Sequence, residues 1–149
     1  MKKTNFIHSI MRDTTAFGGI VFFGFVIMLS IAFGENQLLI SLFFGLFFSL
    51  AVTVLIRLFY FKNRPNKQIY KNIIERMDAS SFPSWHSARA VFLCLLFIDF
   101  FRKDSLSVFF VVFAALVLYS RIYLRKHDWL DVMGGVVLGV GTYLITLLL

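Results

Sequence analysis

Two long runs at the start of the chain, Thr14 to Gly34 and Asn36 to Ile56, contain no Asp, Glu, Lys or Arg. At a rise of about 1.5 Å per residue, each is long enough as a helix to cross a hydrocarbon core of about 30 Å. The polar turn Gly34-Glu35-Asn36-Gln37 between them predicts an antiparallel hairpin of spans. Further apolar stretches run from Ser87 to Phe101, from Leu106 to Arg121, and from the His127–Asp131 region to Leu149. The pattern predicts an all-α, polytopic transmembrane helical bundle with about five spans, near 14–34, 36–61, 86–101, 105–122 and 128–149. Residues 62–85 join the second and third spans. There Ile69, Tyr70, Ile73, Ile74 and Met77 fall near helical spacing while Lys67, Lys71, Glu75 and Arg76 take the other face, which predicts an amphipathic helix lying in the interface.

Composition agrees with this picture. Of 149 residues, 59% are hydrophobic and 15% charged, against about 25% charged in soluble domains. A soluble globule is excluded, and 20 phenylalanines with two prolines exclude disorder. The length suits one transmembrane domain, 1–149. The Met-Lys-Lys start resembles a signal peptide, but the apolar run is long and lacks a small-x-small cleavage site, so it reads as a retained span. Cys94 is the single cysteine and has no intrachain disulfide partner. Gly18-Gly19, Gly134-Gly135, Gly139 and Gly141 suit close helix packing in lipid. No nucleic-acid motif is present, and the partners implied are the bilayer and an anionic ligand.

Against this apolar background the formal net charge is +7. Ionisable residues are costly in a membrane, so where they gather is informative. They cluster at Arg57 to Arg64-Pro65, at Pro83 to Arg89, and at Arg121 to Asp131, and alternation of span direction puts all three clusters on one side of the bilayer. Arg57 and Arg64 are two helical turns apart, so a helix ending at Pro65 would present both guanidiniums on one face, suited to gripping phosphate or to anchoring at headgroups. The hydroxyl-rich turn Ser80-Ser81-Phe82-Pro83-Ser84-Trp85-His86 leads into a helix start, where backbone N–H groups and the Ser84 hydroxyl make an anion site or simply a cap. His86 is placed to give a proton to a leaving oxygen. His127 and Asp131, at i and i+4, would share a helix face, the carboxylate orienting the imidazole as base or nucleophile. Three histidines, one of them His8, are too few for a metal shell, so no metal or other cofactor is expected.

The pattern Arg57-x6-Arg64-Pro65, Pro83-Ser84-Trp85-His86 and Ser120-Arg121-x5-His127-x3-Asp131 resembles the three-part signature of the type 2 phosphatidic acid phosphatase (PAP2) superfamily. The resemblance implies a PAP2-like fold and a metal-independent phosphatase working through a phosphohistidine. On that reading His127 attacks phosphorus, Asp131 orients it, and His86 protonates the leaving oxygen. Arg57, Arg64, Ser84, Arg121 and the Trp85 backbone N–H hold the phosphoryl oxygens, with Arg89 as an additional phosphate or headgroup contact or a snorkelling interfacial residue. Three features depart from the family: Arg57 replaces its usual Lys, Trp85 replaces its usual Gly, and five spans are counted where many relatives have six. The indole of Trp85 is expected to point away from phosphate, towards the lipid interface.

The expected function is removal of phosphate from a phosphomonoester or diphosphate of an amphiphilic lipid, such as phosphatidylglycerophosphate, polyprenyl diphosphate, phosphatidate or lipid A phosphate. The alternatives are a lipid phosphotransferase using the same intermediate and a non-catalytic headgroup-binding protein. An integral protein of the plasma membrane is expected. Lys62, Lys67, Lys71, Arg76, Arg125 and Lys126 share the motif side with Lys2, Lys3 and Arg12, whereas the other side has Arg102 and Lys103, so positive-inside counting puts the site in the cytoplasm. Many bacterial relatives instead work on the outer face.

Overall fold

The computed structural model describes residues 2–66 and 70–149, with side chains from Phe6 onward. It is all-helical apart from one isolated bridge: α1 (Lys2–Ala16), α2 (Ile20–Ala32), α3 (Asn36–Phe59), α4 (Ile73–Ala79), α5 (Trp85–Phe101), α6 (Asp104–Tyr123) and α7 (Trp129–Thr146). Helices α3, α6 and α7 are each long and apolar enough to cross a membrane, and α1 from Phe6 with α2 makes a fourth such unit, bent by 47°. Helix α5 has 17 residues, about 26 Å. It is the central helix, packed against α7, α6 and α3. Large apolar side chains such as Phe47, Val108 and Val137 point outward, as expected of helices that face lipid. The chain is therefore an integral membrane protein.

The first expected span differs at its start. Its run is broken at Phe17-Gly18-Gly19, and a separate helix α1 precedes it. Gly18 lies against the start of α5, where an added Cβ would be 3.0 Å from the His86 carbonyl oxygen. The bend thus lets the N-terminal segment close over the end of the bundle that carries His86. Gly34, at φ +72°, turns the chain from α2 into α3, a conformation that glycine adopts without steric cost. Phe23, Val26, Leu42, Phe92, Leu93 and Leu96 form the buried core between α2, α3 and α5.

The expected interfacial helix is short. Among its described residues only Ile73–Ala79 is helical, with Ile73 and Ile74 exposed, while Lys67 and Ile69 lie outside the described residues. Its start is capped by Asn72, whose side chain accepts from Glu75 N–H at 2.8 Å.

Close packing of α5 on α7 rests on two glycines one turn apart. A Cβ at Gly135 would lie 2.5 Å from the Ser84 carbonyl oxygen, and one at Gly139 would lie 2.5 Å from that of Ala88. Gly141 faces open space. Gly135→Leu is therefore expected to separate the helices and cost about 1–3 kcal/mol or more, read as a lower unfolding midpoint of the solubilised protein. Gly141→Ala should leave that midpoint unchanged.

Candidate active site

The three polar clusters meet at one end of the bundle, tied together by main-chain bonds. Extended residues 60–64 pair with the segment before α5: Asn63 bridges Ser80, and Ser81 N–H donates to the Lys62 carbonyl at 2.8 Å. Ser84 N–H donates to the Asp131 carbonyl at 2.9 Å, joining the start of α5 to the start of α7. Lys126 and His127 N–H both donate to the Arg121 carbonyl, at 3.0 and 3.3 Å, which folds the α6–α7 connection tightly back.

This pairing corrects two expectations. Arg57 and Arg64 do not lie on one continuous helix, because α3 ends at Phe59 and Tyr60 is already extended (φ −126°, ψ 108°). The hydrogen bonds to Ser80 and Ser81 hold the strand-like conformation that brings Arg64 back beside Arg57. Similarly, His127 is not on the face of α7. It precedes the helix, Asp128 is the N-cap, and Asp131 closes a capping box with it.

Arg57, Arg64, Trp85, His86, Arg89, Arg121 and His127 line one cavity of about 470 Å³, with Asp78 and the α1–α2 bend at Ala16, Gly19, Ile20 and Val21. Arg57 donates Nη1 to the Met77 carbonyl (3.1 Å) and Nη2 to that of Pro83 (2.9 Å), so it both shapes the turn and faces the cavity. Arg64 donates to the Asp78 carbonyl and stands 3.9 Å from its carboxylate. Arg121 donates to Thr15 Oγ1 at 2.7 Å. Buried guanidinium nitrogens have no hydrogen-bond partner among the described residues: Nε of Arg57, Arg64 and Arg121, and Nε and Nη1 of Arg89. Leaving such a donor unmet costs about 1–3 kcal/mol each, more when it is charged. Four arginines against one lining carboxylate give the cavity a formal charge of +3 with neutral histidines, a setting that attracts an anion and repels a divalent cation.

Ser84 and Asp131 are fully buried behind this wall. The Ser84 hydroxyl caps α5, accepting from Ser87 N–H (3.4 Å) and Ser87 Oγ (2.9 Å). Asp131 Oδ1 accepts from Lys62 Nζ at 2.9 Å and Oδ2 from Asp128 N–H at 3.0 Å, while His127 Nδ1 is 3.6 Å from Oδ2. That separation is just beyond hydrogen-bond length, and such contacts often tighten when substrate binds. Burial of His127 lowers its pKa, with Arg121 and Arg64 acting in the same direction and Asp131 opposing, so its imidazole is neutral near pH 7.

The indole of Trp85 does not turn to the lipid interface. Its Nε1 donates to Ser49 Oγ on α3 at 3.2 Å, and its ring lies under Arg89, with Cζ 4.1 Å from a ring centroid. Sequence reasoning missed Lys62, which bridges Asp131 and Asp128 (2.6 Å), and Thr15. Lys62 lay within the first motif among apparent flanking charges. Nothing local marked Thr15, whose partner is 106 positions away.

A 58-residue stretch, 39% of the chain, is 40% identical to the lipid A 4'-phosphatase of Bacteroides thetaiotaomicron and spans 26% of that protein's length. The crystal structure of Aquifex aeolicus LpxE shares the fold, at 19% identity and TM-score 0.80 over 97% of this chain and 87% of that one. The family model of the PAP2 superfamily matches residues 38–149, from α3 through all three polar clusters, and the chain belongs to that superfamily.

Proposed function

We propose that the protein is a membrane lipid phosphatase that transfers the phosphoryl group of an amphiphilic phosphomonoester or diphosphate to His127 and then to water, without a metal. One observation carries the reading: unpartnered guanidinium donors from three separate parts of the chain converge with two histidines on one cavity beside apolar helices. Arg57, Arg64 and Arg121 hold the phosphoryl oxygens and stabilise the charge that spreads over them in the transition state. The start of α5, with the Trp85 N–H and Ser84 behind it, adds its helix dipole. His127 attacks phosphorus through Nε2, its Nδ1 being turned to Asp131. His86 protonates the oxygen that leaves with the lipid and later takes a proton from water.

The lipid A 4'-phosphatase relative supports a lipid phosphate among the candidate substrates. Lys62, Lys71, Arg76, Arg125 and Lys126 belong to the α3–α5 and α6–α7 connections that form the site, which favours an orientation with the site facing the cytoplasm. Labelling of a cysteine introduced at Lys71 by a membrane-impermeant reagent in intact cells would overturn that orientation.

The direct test is phosphate release by the purified protein from a panel of lipid phosphates in the presence of chelator. Release is expected with chelator, and His86→Ala should slow it about 100-fold or more. Release only with added divalent metal, or full activity in His86→Ala, would sink the mechanism. Phosphate passed to an added lipid alcohol in preference to water would make the protein a transferase.

A further inference from the structure

Arg89 is 2% exposed, one turn into α5 beyond His86, and lines the cavity. A guanidinium buried in a membrane bundle is costly unless an anion meets it. Its Nε and Nη1 have no hydrogen-bond partner among the described residues. Its described support is the Trp85 ring, at 4.1 Å, itself held by Ser49. A cation–π contact of this kind offsets only part of the cost of burying the charge. Packing alone therefore does not account for Arg89. The residue that departs from the family's glycine, Trp85, is the one that holds Arg89 in place.

Charge balance points the same way. Without Arg89 the cavity lining carries a formal +2, and with it +3. A lipid phosphomonoester near neutral pH carries roughly −2 and a lipid diphosphate roughly −3. We infer that Arg89, seated on Trp85, forms a second anion subsite beside the phosphoryl clamp and that the preferred substrate is a lipid diphosphate, cleaved to the lipid monophosphate. This rests on the phosphatase reading above. His127 Nε2 bonds to the terminal phosphorus as the bond from that phosphorus to the bridging oxygen breaks. The electron pair stays on the bridging oxygen, which, unlike a lipid alkoxide, needs no proton and leaves as the monophosphate, its charge stabilised by Arg89. Water then attacks the phosphohistidine and loses a proton to His86, and cleavage of the P–N bond releases orthophosphate.

The test compares farnesyl diphosphate and farnesyl monophosphate, two probes with one tail, on the purified full chain in nanodiscs with chelator. The unsubstituted protein should favour the diphosphate by about tenfold or more in kcat/KM, the scale of one charged hydrogen bond, and should accumulate the monophosphate. Arg89→Met, which keeps the volume, should remove that preference, and Arg89→Lys should keep part of it. Inorganic pyrophosphate should inhibit the unsubstituted protein more strongly than orthophosphate. Equal use of both farnesyl substrates, or equal loss on both in Arg89→Met, would overturn the subsite. If Arg89→Met does not fold, the substrate ratio and the pyrophosphate comparison decide. Absence of phosphate release from either probe and from the lipid panel would instead refute the phosphatase reading.

Discussion

Replacing His127 by alanine is expected to reduce phosphate release from every lipid phosphate to background, a loss of about 10⁴-fold or more, the scale of removing a covalent nucleophile. The expectation follows from its setting. The imidazole is 3% exposed, and burial keeps it neutral so that a ring nitrogen retains its lone pair. Nδ1 faces the Asp131 carboxylate and the ring borders a cavity whose cations would bind the phosphoryl group. The supporting measurement is chemical trapping. After a brief turnover with a substrate radiolabelled in its terminal phosphate, an alkaline quench should retain label on the unsubstituted protein. More label should remain on His86→Ala, where removal of the base slows hydrolysis of the intermediate, and none on His127→Ala. Label on His127→Ala, or its turnover at more than a few per cent of normal, would place the nucleophile elsewhere.

Much of the site was legible because membrane segments and motifs leave strong local signals. Uncharged runs marked α3, α6 and α7, and the costly polar residues between them marked the end of the bundle where Arg57, Arg64, His86, Arg121 and His127 meet. What escaped depends on contacts between distant segments. The early end of α3 reflects pairing of residues 62 and 63 with 80 and 81, which overrides the helical preference of the apolar run Leu58 to Phe61. The turn of Trp85 into the protein depends on Ser49, 36 positions earlier. The role of Lys62 depends on Asp131, 69 positions later. A lysine two residues before Arg64 looks like one more surface charge until the chain folds back on itself. The α1–α2 bend that walls the cavity was hidden because its residues continue an apolar run.

Asp131→Asn is expected to lower kcat about 10²–10³-fold while leaving KM within a small factor, because the carboxylate acts on substrate through His127. Asp131 is fully buried, accepts from Lys62 Nζ and the Asp128 N–H, and faces the His127 imidazole at 3.6 Å. Asparagine keeps the shape, but its NH2 must face one of these donors, leaving Lys62, the capping box or the imidazole poorly met. A lower unfolding midpoint should therefore accompany the loss of rate. Lys62→Met separates the two effects: it spares the capping box and the His127 contact and removes the ammonium that neutralises the carboxylate. We expect about a tenfold fall in kcat and a double variant, Lys62→Met with Asp131→Asn, no slower than Asp131→Asn alone, since both act through one imidazole. Partial burial opposes the charge on Lys62, but the two carboxylates outweigh it and raise its pKa above 10.5. A pKa raised on folding contributes stability that is fully present below the unfolded value and is lost only as pH rises through the folded one. The stability lost in Lys62→Met should accordingly be the same at about pH 6 and pH 9. A marked difference between those pH values, or additive rate losses in the double variant, would show that Lys62 does not act by holding Asp131.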